Sequence, residues 1–159
     1  MKIVIHCVGT LKEAYWRAAL EEYLKRLTPY AQVCILEVPD VAYKEGAGLA
    51  IETKVKEEEC AKMLAHIKPG DYVCALDLNQ KEYDSVHFSS HLQEMFVRGG
   101  STVHFLIGGS LGLSDEAKKR ANESLSFSPM TFTHQMSRII LLEQLYRAFK
   151  IAHHEPYHK

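Results

Sequence analysis

Two short segments hold most of the residues that can do chemistry. The first, Gly108-Gly109-Ser110-Leu111-Gly112, follows the apolar run Val103-His104-Phe105-Leu106-Ile107. The second, Ser126-Phe127-Ser128-Pro129-Met130-Thr131-Phe132, runs directly into His134-Gln135-Met136-Ser137-Arg138. Glycines after a strand permit a tight turn and let a ligand approach the main chain closely. Loops at the carboxyl ends of strands are where α/β proteins bind ligands. The first segment lacks both the G-x-G-x-x-G spacing of dinucleotide sites and the Lys-Ser/Thr pair of a phosphate loop. The second is apolar where a connecting loop would be polar. Phe127, Met130 and Phe132 therefore either stack on a flat heterocycle, with backbone groups reading its edge, or plug the core or a subunit interface. The residues by themselves leave both readings open.

Other chemistries find less support. His153, His154 and His158 crowd the C-terminus. Their spacing puts no two of them on one helix face and no Asp or Cys completes a set, so no metal site is expected. There is no G-x-S-x-G elbow. Cys7, Cys34, Cys60 and Cys74 show no C-x-x-C spacing and no basic sequence context, so they read as reduced core or near-core residues of a cytosolic protein. Arg138 lies at the start of a helix, where the dipole disfavours a cation. Such a placement calls for an anion, either a ligand or a nearby Glu.

These residues need a scaffold. Lys2–Val8, Gln32–Val38, Tyr72–Leu78 and Thr102–Ile107 read as strands, with a short fifth at Ser124–Phe127. Helical periodicity covers Leu11–Leu27, Ile51–Ile67 and His87–Arg98, a short helix follows the Ser114-Asp115-Glu116 cap, and a last helix spans Thr133–Ala152. Val41–Ala50 and Asn79–Val86 read as a loop and a polar turn. Strands alternating with helices predict an α/β domain with a mostly parallel sheet covered on both faces. The last helix is apolar around most of its circumference, from Ile139 to Ile151, so the sheet and something else must cover it. A homodimer partner is the economical candidate.

A chain of 159 residues with net charge −1 is one domain on length, 1–159, with no global bias toward nucleic acid. The charges are unevenly placed, however. Residues 37–59 carry seven acids against three lysines, while residues 118–159 carry seven Lys/Arg against three Glu, so the C-terminal third is the better face for an anionic partner. No segment approaches the ~18 apolar residues needed to span a membrane.

The glycine turn, the Leu125–Arg138 stretch, Glu143-Gln144-Leu145-Tyr146-Arg147-Ala148 and the terminal Tyr157-His158-Lys159 closely resemble the bacterial ribosomal RNA large subunit methyltransferase H family. The resemblance spans the whole chain. It implies the SPOUT fold with a trefoil-knotted C-terminal half and a homodimer. It also implies methyl transfer from S-adenosyl-L-methionine to N3 of a pseudouridine in 23S rRNA. Carried over by motif, the cofactor site would comprise Leu76, Gly108, Phe127, Ser128, Pro129, Met130, Thr131 and Phe132. Deprotonating a weakly acidic ring nitrogen calls for a base and a cation near the developing charge. Arg138 is the expected cation or phosphate contact, and His134, Tyr157 and His158 are the expected base or RNA-positioning groups. Two rivals fit the same residues less closely: a SPOUT enzyme acting on ribose or tRNA, and a non-catalytic RNA-binding module. A flavodoxin-like nucleotide binder is a distant third.

Overall fold

The strands β1 (Lys2–Val8), β2 (Gln32–Val38), β3 (Tyr72–Lys81), β4 (Thr102–Ile107) and β5 (Glu123–Leu125) form one sheet in the order β2-β1-β4-β3-β5. All four pairings are parallel. The computed structural model describes residues 1–159. Parallel neighbours need crossovers, and the helices supply them: α1 (Ala14–Leu27), α2 (Leu49–Leu64), α3 (Ser85–Arg98) and α4 (Asp115–Arg120), with α5 (His134–Ala152) closing the chain.

Side-chain alternation along the central strands divides the core in two. Ile3, Ile5 and Cys7 of β1 and Val103, Phe105 and Ile107 of β4 face α1, α3 and α5, where they meet Leu27, Leu92, Met95, Leu141, Leu145 and Phe149. Val8 and Leu106 face the other way, onto Cys60 and Met63 of α2 and Ala117 of α4. His6 and His104 lie on adjacent strands, their rings stacked and joined by a 2.9 Å Nε2···Nδ1 hydrogen bond.

The structure corrects several sequence expectations. Much of the apolar circumference of α5 is covered within the chain, because α1 and α3 flank it while β1 and β4 lie beneath, but Ile139, Ile140 and Ile151 stay half-buried. Strand β3 runs on through Asn79–Lys81, where a polar turn is expected, because the Ser126 hydroxyl accepts the Gln80 N–H and the Ser126 N–H donates to the Lys81 carbonyl. Helix α3 starts two residues earlier than expected, since Asp84 caps it by accepting the His87 N–H at 2.8 Å. Helix α1 starts three residues late, at Ala14. Helix α2 starts two residues before the expected Ile51, at Leu49.

Candidate active site

A cavity of about 630 Å³ opens at the carboxyl ends of β3 and β4. Its walls are Leu76, Asp77 and Leu78 from β3, the Gly108–Gly112 turn after β4, Phe127–Phe132 except Pro129, and the first residues of α5. The turn needs glycine for steric reasons: a Cβ on Gly108 would stand 2.4 Å from the Gly112 carbonyl carbon. The apolar loop is held by hydroxyls. Ser126 Oγ donates to the Asp77 carbonyl at 2.6 Å, which ties the loop to β3, and Ser128 Oγ accepts the Met130 N–H at 2.9 Å. Thr133 caps α5 by accepting the Met136 N–H.

Seven of the eight expected cofactor residues thus line one cavity: Leu76, Gly108, Phe127, Ser128, Met130, Thr131 and Phe132. Pro129 does not line it. Phe127 is partly buried against the core, whereas Met130 and Phe132 are 72% and 38% exposed at the mouth. His134 lies in the wall, its imidazole pKa lowered by burial first and by the Arg138 charge second, so the ring is neutral at neutral pH and can accept a proton.

Arg138 does not face the cavity. Its side chain is fully buried. Nη1 donates to Glu37 Oε1 at 2.7 Å, and Nη2 donates to the Val8 and Gly9 carbonyls at 2.7 and 2.8 Å. Of the two anions that its position at the helix start called for, the protein supplies the Glu. The guanidinium is committed to joining α5 to the ends of β1 and β2, and an RNA contact would require it to leave those partners.

Tyr157 and His158 also lie away from this cavity in the same chain. Tyr157 packs edge-on against Tyr146 and donates to Glu143 Oε1 at 3.2 Å, and the Arg147 guanidinium sits 4.7 Å over its ring. Burial and the Glu143 carboxylate push the Tyr157 phenol up to about 12, so it stays protonated and serves as a donor rather than a base. His158 Nδ1 lies 3.4 Å from Arg147. The end of the chain is thus tied to α5 by these contacts.

Three charged residues of the cavity, Lys56, Asp77 and Lys118, escaped the sequence reading. Lys118 Nζ of α4 pairs with Asp77 Oδ2 at 2.9 Å. These residues are 41 positions apart and belong to no motif, so only strand order brings them together. Four of the seven cations of the C-terminal third are paired inside the chain, with Asp77, Glu37, Glu143 and Glu155.

A family model described as "Predicted SPOUT methyltransferase" matches residues 1–158. The chain belongs to the SPOUT methyltransferase family. Among its curated SPOUT relatives are proteins named ribosomal RNA large subunit methyltransferase H. The one from Desulforamulus reducens is 47% identical over all of this chain and 99% of its own length. Those from Clostridium botulinum strain 657 and Alkaliphilus oremlandii are each 49% identical over the full length of both chains. Among solved structures, a Legionella pneumophila methyltransferase with bound S-adenosylmethionine superposes with a TM-score of 0.51 at 14% identity. That match covers 94% of this SPOUT chain but 66% of the longer neighbour, and it speaks to the fold.

Proposed function

We propose that the chain, acting as one SPOUT domain, transfers a methyl group from S-adenosyl-L-methionine to N3 of a pseudouridine in the 23S rRNA of the large ribosomal subunit. The single observation that carries this reading is the convergence of the glycine turn and the Phe127–Phe132 loop on one cavity, in a chain nearly half identical to full-length enzymes of that name. The cavity suits the cofactor chemically. Phe127, Met130 and Phe132 offer faces for an adenine ring, and Gly108 leaves the main chain open to its edge. The Asp77–Lys118 pair complements the ammonium and carboxylate of an amino-acid moiety. When bound, the cofactor supplies a sulfonium-activated methyl group.

The protein's own residues position and deprotonate. Neutral His134, in the wall of the cavity, takes the proton from the acceptor nitrogen. The apolar loop excludes water from the reacting centre. Arg138 is a positioning residue, holding the helix that carries His134. Further features belong to the same proposal: a trefoil knot in the C-terminal half, a cytoplasmic location where ribosomes are found, and a homodimer. The apolar side chains at the cavity mouth, Leu78, Met130 and Phe132, are exposed and support a second copy docking there. In that assembly Tyr157 and His158 serve the RNA-facing edge. No helix of this protein is long and apolar enough to cross a membrane.

The test is transfer of labelled methyl groups to ribosomes and separated 50S subunits from a strain lacking the enzyme, with mass spectrometry locating the product. Product at N3 of a 23S pseudouridine is expected. Transfer to tRNA or to a ribose would overturn the assignment, and absence of S-adenosylmethionine binding by calorimetry would favour a non-catalytic module. Removing Tyr157–Lys159 should lower methylation while cofactor affinity holds, and sedimentation should report a dimer.

A further inference from the structure

A second cavity, about 340 Å³, adjoins the first and shares Gly109, Ser110, His134 and Gln135 with it. It opens where β1 and β4 lie side by side while their connections depart in opposite directions. β1 leads through α1 to β2, and β4 leads through α4 to β5 across β3. Such a switch point leaves a crevice at the carboxyl ends of the two strands, and open α/β sheets place ligands there. The volume falls within the range of small-molecule sites, about 300–1,000 Å³.

Glu59 of α2 lines this cavity although it is only 5% exposed. Acids are rarely so buried without a full set of partners. Its Oε1 accepts the Val41 N–H at 2.9 Å, and its Oε2 has no hydrogen-bond partner. That free oxygen lies 2.9 Å from where a Cβ on Gly109 would stand, so the glycine keeps open the space in front of it. Burial is the main cause that raises the Glu59 pKa, with the Asp40 charge adding to it. Thr10, Asp40 and Tyr43 complete the rim, where the Tyr43 hydroxyl lies 3.2 Å from Ser110 Oγ. Glu13, Asp40 and Glu59 outnumber the single cation, Lys12. The cavity is therefore hostile to a phosphate and suited to a neutral ring that presents N–H donors.

We propose that this second cavity receives the target pyrimidine, flipped out of the RNA, with Glu59 Oε2 accepting one ring N–H and His134 facing the N–H to be methylated. The proposal rests on the reading of the chain as an rRNA methyltransferase and names the substrate pocket of that site. Enzymes that modify a base must take it out of its stack. A pseudouridine ring carries N–H groups at both N1 and N3, whereas uridine carries only the one at N3. A pocket with two acceptors, a carboxylate and an imidazole, matches the former and leaves the carboxylate oxygen without a ring donor in the latter. In the reaction the N3 proton passes to His134, N3 bonds to the methyl carbon, and the carbon–sulfur bond breaks with its electron pair left on sulfur. Glu59 is thereby assigned as the residue that selects pseudouridine.

Two variants test this. Glu59→Gln keeps an oxygen for the Val41 N–H but puts an amide donor where Oε2 stands. It should bind S-adenosylmethionine with unchanged affinity. On ribosomes carrying the pseudouridine its kcat/KM should fall about ten- to hundredfold. On ribosomes from cells lacking the relevant pseudouridine synthase, which carry uridine instead, kcat/KM should barely change, so that the preference collapses. Unchanged kcat/KM on pseudouridine, or an equal fall on both substrates, would overturn the proposal. Thr10→Trp alters only an exposed loop residue and blocks the mouth of the cavity. It should retain cofactor binding and lose methylation, and full methylation by this variant would overturn the proposal even if Glu59→Gln failed to fold. Wild-type protein that binds the cofactor but never methylates ribosomes would sink the underlying reading, and this pocket assignment with it.

Discussion

Replacing Arg138 with alanine tests how the cavity wall is held. The guanidinium is fully buried and donates to Glu37, Val8 and Gly9, which draws the start of α5 onto the ends of β1 and β2. Removing one partner of a buried ion pair costs about 3–5 kcal/mol. The Glu37 side chain is 33% exposed, so water can reach the orphaned carboxylate and the lower end, ~3 kcal/mol, applies to the pair. The Val8 carbonyl is dry and adds about 1 kcal/mol. The expected loss of ~4 kcal/mol is a large part of a typical stability of about 5–15 kcal/mol. Urea denaturation followed by circular dichroism measures it. A double-mutant cycle with Glu37→Gln should return a coupling of about 1–3 kcal/mol. Arg138→Lys should recover only part of the loss, because one ammonium cannot span three acceptors arranged for a planar fork. Wild-type stability in Arg138→Ala, with kcat alone reduced, would refute this reasoning and return the residue to a direct role on the substrate.

Other perturbations probe separate parts of the molecule. Gly108→Ala forces a Cβ against the Gly112 carbonyl, so it should cost roughly 1–3 kcal/mol of stability and weaken cofactor binding in calorimetry. Unaltered binding would remove the turn from the site. Burial lowers the His6 pKa to about 4 and also lowers that of His104, although Asp71, 3.5 Å from His104, opposes this. The unfolded chain then binds more protons than the folded one below the ordinary histidine value of about 6.5. Stability should hold above that pH and decline toward pH 4, with a slope of up to about 1.4 kcal/mol per pH unit for each proton. A melting temperature that rises on acidification through this window would contradict the buried neutral pair. Burial pushes the Cys7 thiol up to about 12 and raises Cys74 well above its ordinary value. A thiol reagent at neutral pH should therefore label half-buried Cys34 first, and rapid modification of all four cysteines would show an open core.

What could be read from the sequence was local. The glycine turn, the hydroxyl-studded apolar loop and the Ser114 cap depend on the conformations of neighbouring residues and on bonds that span a few positions, so their residue types announce them. The alternation of strands and helices was legible because buried parallel strands and amphipathic helices have different periods. The errors arose where distant chain overrides local preference: Asn79–Lys81 reads as a turn but stays in strand because Ser126 bonds to it.

Residue type alone left Arg138 undecided between a ligand and a nearby Glu. Glu37, 101 positions away, resolves it, because parallel pairing sets the end of β2 beside the end of β1, against which α5 begins. Strand order likewise joins Asp77 to Lys118, stacks His6 on His104 98 positions away, and sets Gly109 in front of the Glu59 carboxylate. The sequence by itself determined most of the strands and helices and the glycine turn, since those follow from short-range sterics and periodicity. Which charges are consumed, which carboxylate is left a free oxygen, and that two cavities share His134 were decided only by the tertiary structure, because they depend on the order in which the strands assemble.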